Sequence, residues 1–246
     1  MNILFEFGRY YKLMARMMSR PEKWPIYRKR IFEEIENLGL GSLGIVAIIS
    51  VFMGAVVTIQ SASNFESPLI PFYAIGVAAR DSMILEFSPT VVSLILAGKV
   101  GSNIASEIGT MRVSEQIDAL DIMGINSATY LILPKVLAAV FIFPFLIAIS
   151  MFLGIFGGYI FGMLTGEVTS HQYIFGIQYD FRPYYVTYAF VKTVFFAFII
   201  TSVSAYHGYY TKGGALEVGQ SSTRAVVYSS IVILAFNFVL TQLLLV

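Results

Sequence analysis

Runs without Asp, Glu, Lys or Arg locate the candidate spans of this chain, at 37–65, 87–98, 136–166, 193–211 and 225–246. A helix that crosses a bilayer needs about 20 mostly apolar residues. The first, third and fifth stretches meet that length alone. The fourth meets it once Lys192 and the Tyr-rich residues before it are included. The second does so only if its helix begins near Leu69 and takes in Arg80, Asp81 and Glu86. The pattern therefore predicts five membrane-spanning helices, at about 40–62, 70–104, 132–162, 184–208 and 224–245. The second is long enough that it is expected to project beyond the bilayer or to be broken.

Ahead of the first span the pattern changes. In FEFGRYYKLMARMMSR the charges Arg9, Lys12, Arg16 and Arg20 recur at helical spacing, and Phe7, Tyr10, Met14 and Met17 recur on another face. This predicts an amphipathic helix with a basic side, suited to lying among lipid headgroups. A helix packed on another part of the protein is the alternative. Pro21 and Pro25 are expected to break it around Trp24, a residue type favoured at membrane interfaces. A second short helix is expected at about 26–38, with Ile31, Ile35 and Leu38 on one side. Residues 1–38 then form an N-terminal interfacial segment, and 39–246 a five-helix transmembrane domain.

Composition supports this division. The chain is 57% hydrophobic and 13% charged, against roughly 25% charged residues in soluble domains. Its mean hydropathy is +0.75. The fold class is all-α integral membrane. A net charge of +1 gives no case for nucleic-acid binding. With no cysteine, and with His171 and His207 36 positions apart, neither a disulfide framework nor a zinc site is expected. The two histidines read as interfacial hydrogen-bonding residues. Charges interrupt the apolar residues of the N-terminus, unlike the core of a cleaved signal peptide. Thirteen of the 16 Lys and Arg fall in 1–30, in or at the edges of the segment between spans two and three (Lys99, Arg112, Lys135), or in or at the edge of that between spans four and five (Lys212, Arg224). Basic residues favour the cytoplasmic side, so the N-terminus is expected inside and the C-terminus outside.

One short segment departs from this apolar background. GKVGSNIASEIGTMRVSEQIDALDIMGI, at 98–125, carries Lys99, Glu107, Arg112, Glu115, Asp118 and Asp121. Ser114 can cap a helix there, Glu115 suits its first turn, and Gly124 can end it. Val113, Ile117 and Leu120 share one face, with the acids directed elsewhere. The spacing predicts a short helix with an apolar side and an acidic side, either docked on a partner or simply solvated.

This segment, together with GGALEVGQSSTRAVVYSS at 213–230, resembles the signature of the MlaE/YrbE family of ABC-transporter permeases. The similarity extends over nearly the whole chain. It implies a homodimeric permease of the bacterial inner membrane that moves phospholipids between inner and outer membranes. It also implies two partners, a separate cytoplasmic ATPase and a periplasmic MCE-domain lipid-binding protein. Residues 107–125 would be the coupling helix, with Glu107, Arg112, Glu115, Ile117, Asp118, Leu120 and Asp121 facing the ATPase. This chain has no GxxxxGK[ST] loop, so ATP would be bound by the partner, with no cofactor or metal here. It also lacks GxSxG and HExxH, and no enzymatic activity is expected.

Charges inside spans are costly and mark candidate functional sites. Here they are Arg80, Asp81, Glu86 and Lys192. One reading is that Glu86 merely neutralises Lys192. The other is a polar pocket for a lipid headgroup, which the resemblance favours, with Glu86 and Lys192 matching an acidic and a basic family position. The family's Arg-Glu-Leu-Gly-Pro is Leu85-Glu86-Phe87-Ser88-Pro89 here, so Arg80 becomes the candidate for the missing charge. The glycines of span one (39, 41, 44, 54) and span three (154, 157, 158, 162) predict close helix packing. An ion-coupled secondary transporter working through Glu86 and Lys192 is the alternative function. An intramembrane lipid enzyme is a third.

Overall fold

The computed structural model describes residues 3–19, 24–65 and 71–245. Arg20, Pro21, Lys23, the side chains of Trp24 and Pro25, and the expected start of span two near Leu69 lie outside this description. All regular structure among the described residues is helical. Five helices are long and apolar enough to cross a membrane: α2 (Trp24–Asn64), α3 (Tyr73–Val113), α5 (Ser127–Leu164), α7 (Tyr184–Tyr209) and α8 (Ala215–Leu245). Three shorter ones accompany them: α1 (Ile3–Met17), α4 (Gln116–Ile122) and α6 (Ser170–Gln178).

The separate helix expected at 26–38 does not exist as such, because α2 runs unbroken into the first span. Residues 26–38 contain no Gly or Pro. Pro25 stands in the first turn of α2, where a missing N–H breaks no helical hydrogen bond. Span two is both overlong and interrupted. Two π-helical segments, Met83–Val91 and Ala97–Gly101, lie within α3, the first around Pro89. Helix α6 was not anticipated from charge patterning. Its local signal is a capping box, in which Thr169 accepts from the Gln172 N–H while the Gln172 side chain accepts from the Thr169 N–H.

Contacts group the chain into two compact units, each assembled from three stretches. One comprises Met1–Ser42, Leu94–Ile142 and Phe195–Val239, the other Leu43–Ser93, Phe143–Val194 and Leu240–Val246. In the first, α1 turns Leu13, Met14 and Met17 inward and leaves Leu4, Phe5, Phe7 and Tyr11 exposed. Phe7 is thus on the outer apolar side, apart from Met14 and Met17. Polar contacts fix α1 to its neighbours. Tyr10 donates to Ser202 Oγ at 2.8 Å, and burial pushes its phenol above the ordinary value, keeping it a donor. Tyr206 donates to Glu6, and the Arg9 guanidinium lies 3.9 Å from the Tyr210 ring centroid.

In the second unit, small residues bring α2 and α5 into backbone contact. A Cβ on Gly54 would lie 1.7 Å from the Gly154 carbonyl oxygen, and one on Gly157 would lie 2.3 Å from that of Val51. In an apolar solvent such close approach supplies packing that hydrophobicity cannot. The expectation for these glycines holds for the inner set only: Gly41 and Gly44 face open space. Beside this contact Ser50 donates to Ser150 at 2.8 Å, and Ser150 donates to Ser88 at 3.1 Å. Helices α3 and α6 also approach closely, where a Cβ on Gly176 would meet the Tyr73 carbonyl at 2.2 Å.

Candidate functional site

The predicted site residues fall into two clusters, one in each unit. In the unit containing Met83–Val91, Lys192 of α7 donates to Glu86 Oε1 at 3.0 Å and to the Leu85 carbonyl at 3.1 Å. Thr90 donates to Glu86 Oε2 at 3.0 Å, and Thr241 of α8 stands 3.4 Å from Oε1. Tyr188 hydrogen-bonds Thr241 at 2.8 Å, with its ring centroid 4.8 Å from the ammonium. The two charges are not equivalent. The Lys192 side chain is 0% exposed, whereas that of Glu86 is 43% exposed. An ammonium so buried survives only with its donors satisfied, and carboxylate, carbonyl and ring face supply that here. The accessible part of the cluster is a carboxylate edged by threonine hydroxyls.

Arg80 does not join this cluster. It is 2% exposed, bonded through Nε to Asp81 at 2.8 Å. Through Nη1 it donates to the Ile177 and Tyr179 carbonyls, both at 2.8 Å. It caps the C-terminal end of α6, as cations at helix C-termini do. The charge expected from Arg80 in place of the family arginine is therefore committed elsewhere. Sequence reasoning missed Thr90, Tyr188 and Thr241. Thr90 lies four positions after Glu86, on the same helical face, and was legible in principle. Thr241, 155 residues away, was not.

The second cluster surrounds α4. Ser114 does not cap it: its Oγ donates back to the Thr110 carbonyl at 2.8 Å. The N-cap is Glu115, in the left-handed region with φ 59°, a conformation costing a non-glycine residue roughly 1–2 kcal/mol. The C-terminus ends as expected, at Gly124 with φ 78°. There the Ile125 N–H bonds the Leu120 carbonyl at 3.0 Å and the Gly124 N–H that of Asp121 at 3.1 Å, a Schellman motif. Arg112 pairs with Asp118 at 2.6 Å, and Arg16 of α1 with Asp121 at 2.8 Å. Arg16 also donates to Tyr209 at 3.2 Å. The Asn126 side chain donates to the Arg16 carbonyl at 3.0 Å and to Ser19 at 2.6 Å.

This arrangement reassigns several coupling candidates. Ile117 is 0% exposed and packs inward, so it is no surface for a partner; Leu120 is half-buried. Outward apolar surface comes instead from Ile122, 86% exposed, and Met123, 65% exposed, with Glu115 and Asp118 exposed nearby. Glu107 accepts from Lys135 at 2.7 Å, and Lys135 also bonds Glu34 at 2.6 Å. That buried lysine braces α2, α3 and α5, and the half-exposed Glu107 is engaged in this joint. Among the described residues no group of three His, Cys, Asp or Glu is placed to hold a metal ion.

Residues 31–243 match the family described as Permease MlaE. The chain belongs to the MlaE permease family. It is 39% identical over 219 residues to a probable ABC transporter permease protein of Rickettsia bellii, covering 89% of this chain and 84% of that one. It is 30% identical over 218 residues to the intermembrane phospholipid transport system permease protein MlaE of Haemophilus influenzae, covering 87% and 82%. It is also 32% identical to the chloroplastic protein TRIGALACTOSYLDIACYLGLYCEROL 1 of Arabidopsis thaliana, over 94% of this chain and 65% of that longer one. Membership makes the molecule the permease subunit of an ABC transporter, a transport component and not an enzyme. Its five long apolar helices make it a multi-pass membrane protein.

Proposed function

We propose that this permease moves phospholipid between the inner and outer membranes of a bacterial envelope, driven by a separate ATPase seated on α4. The observation that carries the reading is α4 itself. It is a short helix anchored at both ends by ion pairs, with Ile122 and Met123 and the acids Glu115 and Asp118 directed outward. A helix fixed in this way transmits a push from a bound partner instead of yielding to it. The named function of the Haemophilus relative supports phospholipid as the cargo, and the half-exposed Glu86 cluster supports a headgroup site within the spans. The working assembly is a homodimer in the inner membrane, with an MCE-domain protein on the periplasmic side and ATP bound by the ATPase subunit.

Purification in mild detergent tests this reading. The preparation should contain an ATPase chain and bound phospholipid, and ATP should drive lipid movement in reconstituted vesicles. Transport that needs an ion gradient and no ATPase would instead establish the secondary-transporter reading through Glu86 and Lys192. Orientation has its own test. The chain has no cysteine, so cysteines introduced singly at Thr110 and Lys212 report unambiguously. Both should react with a membrane-impermeant maleimide only from the cytoplasmic side, and periplasmic labelling of either would overturn the assigned topology.

A further inference from the structure

Four residues from four helices close a ring of hydrogen bonds beside α4, all within one compact unit. Asp121 Oδ1, near the end of α4, accepts from Arg16 Nη2 of α1 at 2.8 Å and from the N–H of Ser127, the first residue of α5, at 3.4 Å. Arg16 Nη1 donates to the hydroxyl of Tyr209, the last residue of α7, at 3.2 Å. The Tyr209 and Ser127 hydroxyls share a hydrogen bond at 2.8 Å, which closes the ring. Arg16 is held by its backbone as well. It stands in the last turn of α1, where carbonyls lack helical donors, and its carbonyl accepts from Asn126 at 3.0 Å and from Thr129 at 2.9 Å. The two halves of the ring differ in exposure. Tyr209 and Ser127 are buried, whereas the Arg16 and Asp121 side chains are 44% and 32% exposed. An ion pair this exposed is worth little alone and matters when a forked contact or a network holds it. Arg16 has both.

We propose that Arg16 is a positioning residue for energy coupling, whose guanidinium ties α4 to the end of α7 and makes α1 a working part of the transport cycle. The chain itself joins α4 to α3 before it and to α5 after it. Helix α7 has no such connection, and Arg16 with Tyr209 provides one. A push on α4 displaces Asp121, and the planar fork of Arg16 passes that displacement to Tyr209. Asp121, expected from the sequence to face the ATPase, serves this joint instead, with Glu115 and Asp118 left outward. A lysine at this place would keep a charge for Asp121 and lose the second arm, because an ammonium is a point charge without a fixed fork. The proposal rests on the reading of α4 as the seat of the ATPase.

Arg16→Lys and Tyr209→Phe test it from the two sides of one hydrogen bond. Each variant, purified in mild detergent with the ATPase, should match wild type in folded yield, in ATPase recovered and in basal ATP hydrolysis. Each should lose most of the lipid moved per ATP hydrolysed in reconstituted vesicles. The double variant should lose no more than the worse single one, because both changes break the same contact. Wild-type coupling in either variant overturns the proposal, as do additive losses in the double. Reduced folded yield in either would show the ring to be structural alone, and reduced ATPase recovery would show it to be a docking surface; both results overturn the proposal. A wild-type permease that holds no ATPase, or moves no lipid when ATP is added, fails the proposed function before any variant is compared and takes this proposal with it.

Discussion

Exchanging Ile122 and Met123 together for aspartate should detach the ATPase while leaving a folded permease in the membrane. Both side chains are largely solvent-facing, so the substitution removes little internal packing. Burying an aliphatic or methionine side chain against a partner is worth roughly 1.5–3 kcal/mol, and a carboxylate in the same place adds a desolvation penalty. Two such changes should weaken the complex by about a hundredfold or more on that scale. Co-purification of the ATPase with the variant is the measurement, with folded yield as the control. Wild-type recovery of the ATPase would show that this end of α4 does not carry the contact. Ile117→Asp should behave differently. Its side chain is fully buried within the chain, so an aspartate there should reduce folded yield before any question of docking arises.

Glu86→Gln should leave folding and ATPase binding near wild type and remove most lipid transport and bound phospholipid. The asymmetry of exposure decides this. A glutamine amide oxygen still accepts from Lys192, the Leu85 carbonyl keeps its donor, and the half-exposed position tolerates the lost charge. Removing one partner of a buried pair costs about 3–5 kcal/mol when the other charge is left bare; here the buried Lys192 ammonium keeps the Leu85 carbonyl and a glutamine oxygen as acceptors. What disappears is the accessible negative charge between Thr90 and Thr241. The check is bound phospholipid per folded protein, alongside ATP-driven transport in vesicles. Normal transport by Glu86→Gln would end the role of this carboxylate in headgroup binding, and a collapse in its folded yield would show the pair to be structural.

The sequence by itself determined the number of spans, their approximate places, the amphipathic character of α1 and the charged segment at the centre of the chain. These are local properties. A run of apolar residues is costly anywhere but in lipid or a protein core, and a Gly that adopts the left-handed backbone ends a helix locally, as Gly124 does. It also singled out Glu86 and Lys192, because a charge within an apolar run demands a partner. Tertiary structure decided which face of each helix turns inward. Lipid tails and a protein interior are equally apolar, so periodicity could not tell that Gly54 packs while Gly44 does not; and an apolar side of a helix outside the spans can dock on its own chain or on a partner, so periodicity could not tell that Ile117 is buried while Ile122 is exposed. It also decided where each charge is spent. Arg80 went to carbonyls 97 and 99 residues away, and Arg16 to Asp121 across 105. Such pairings depend on how distant helices pack, which no local pattern records.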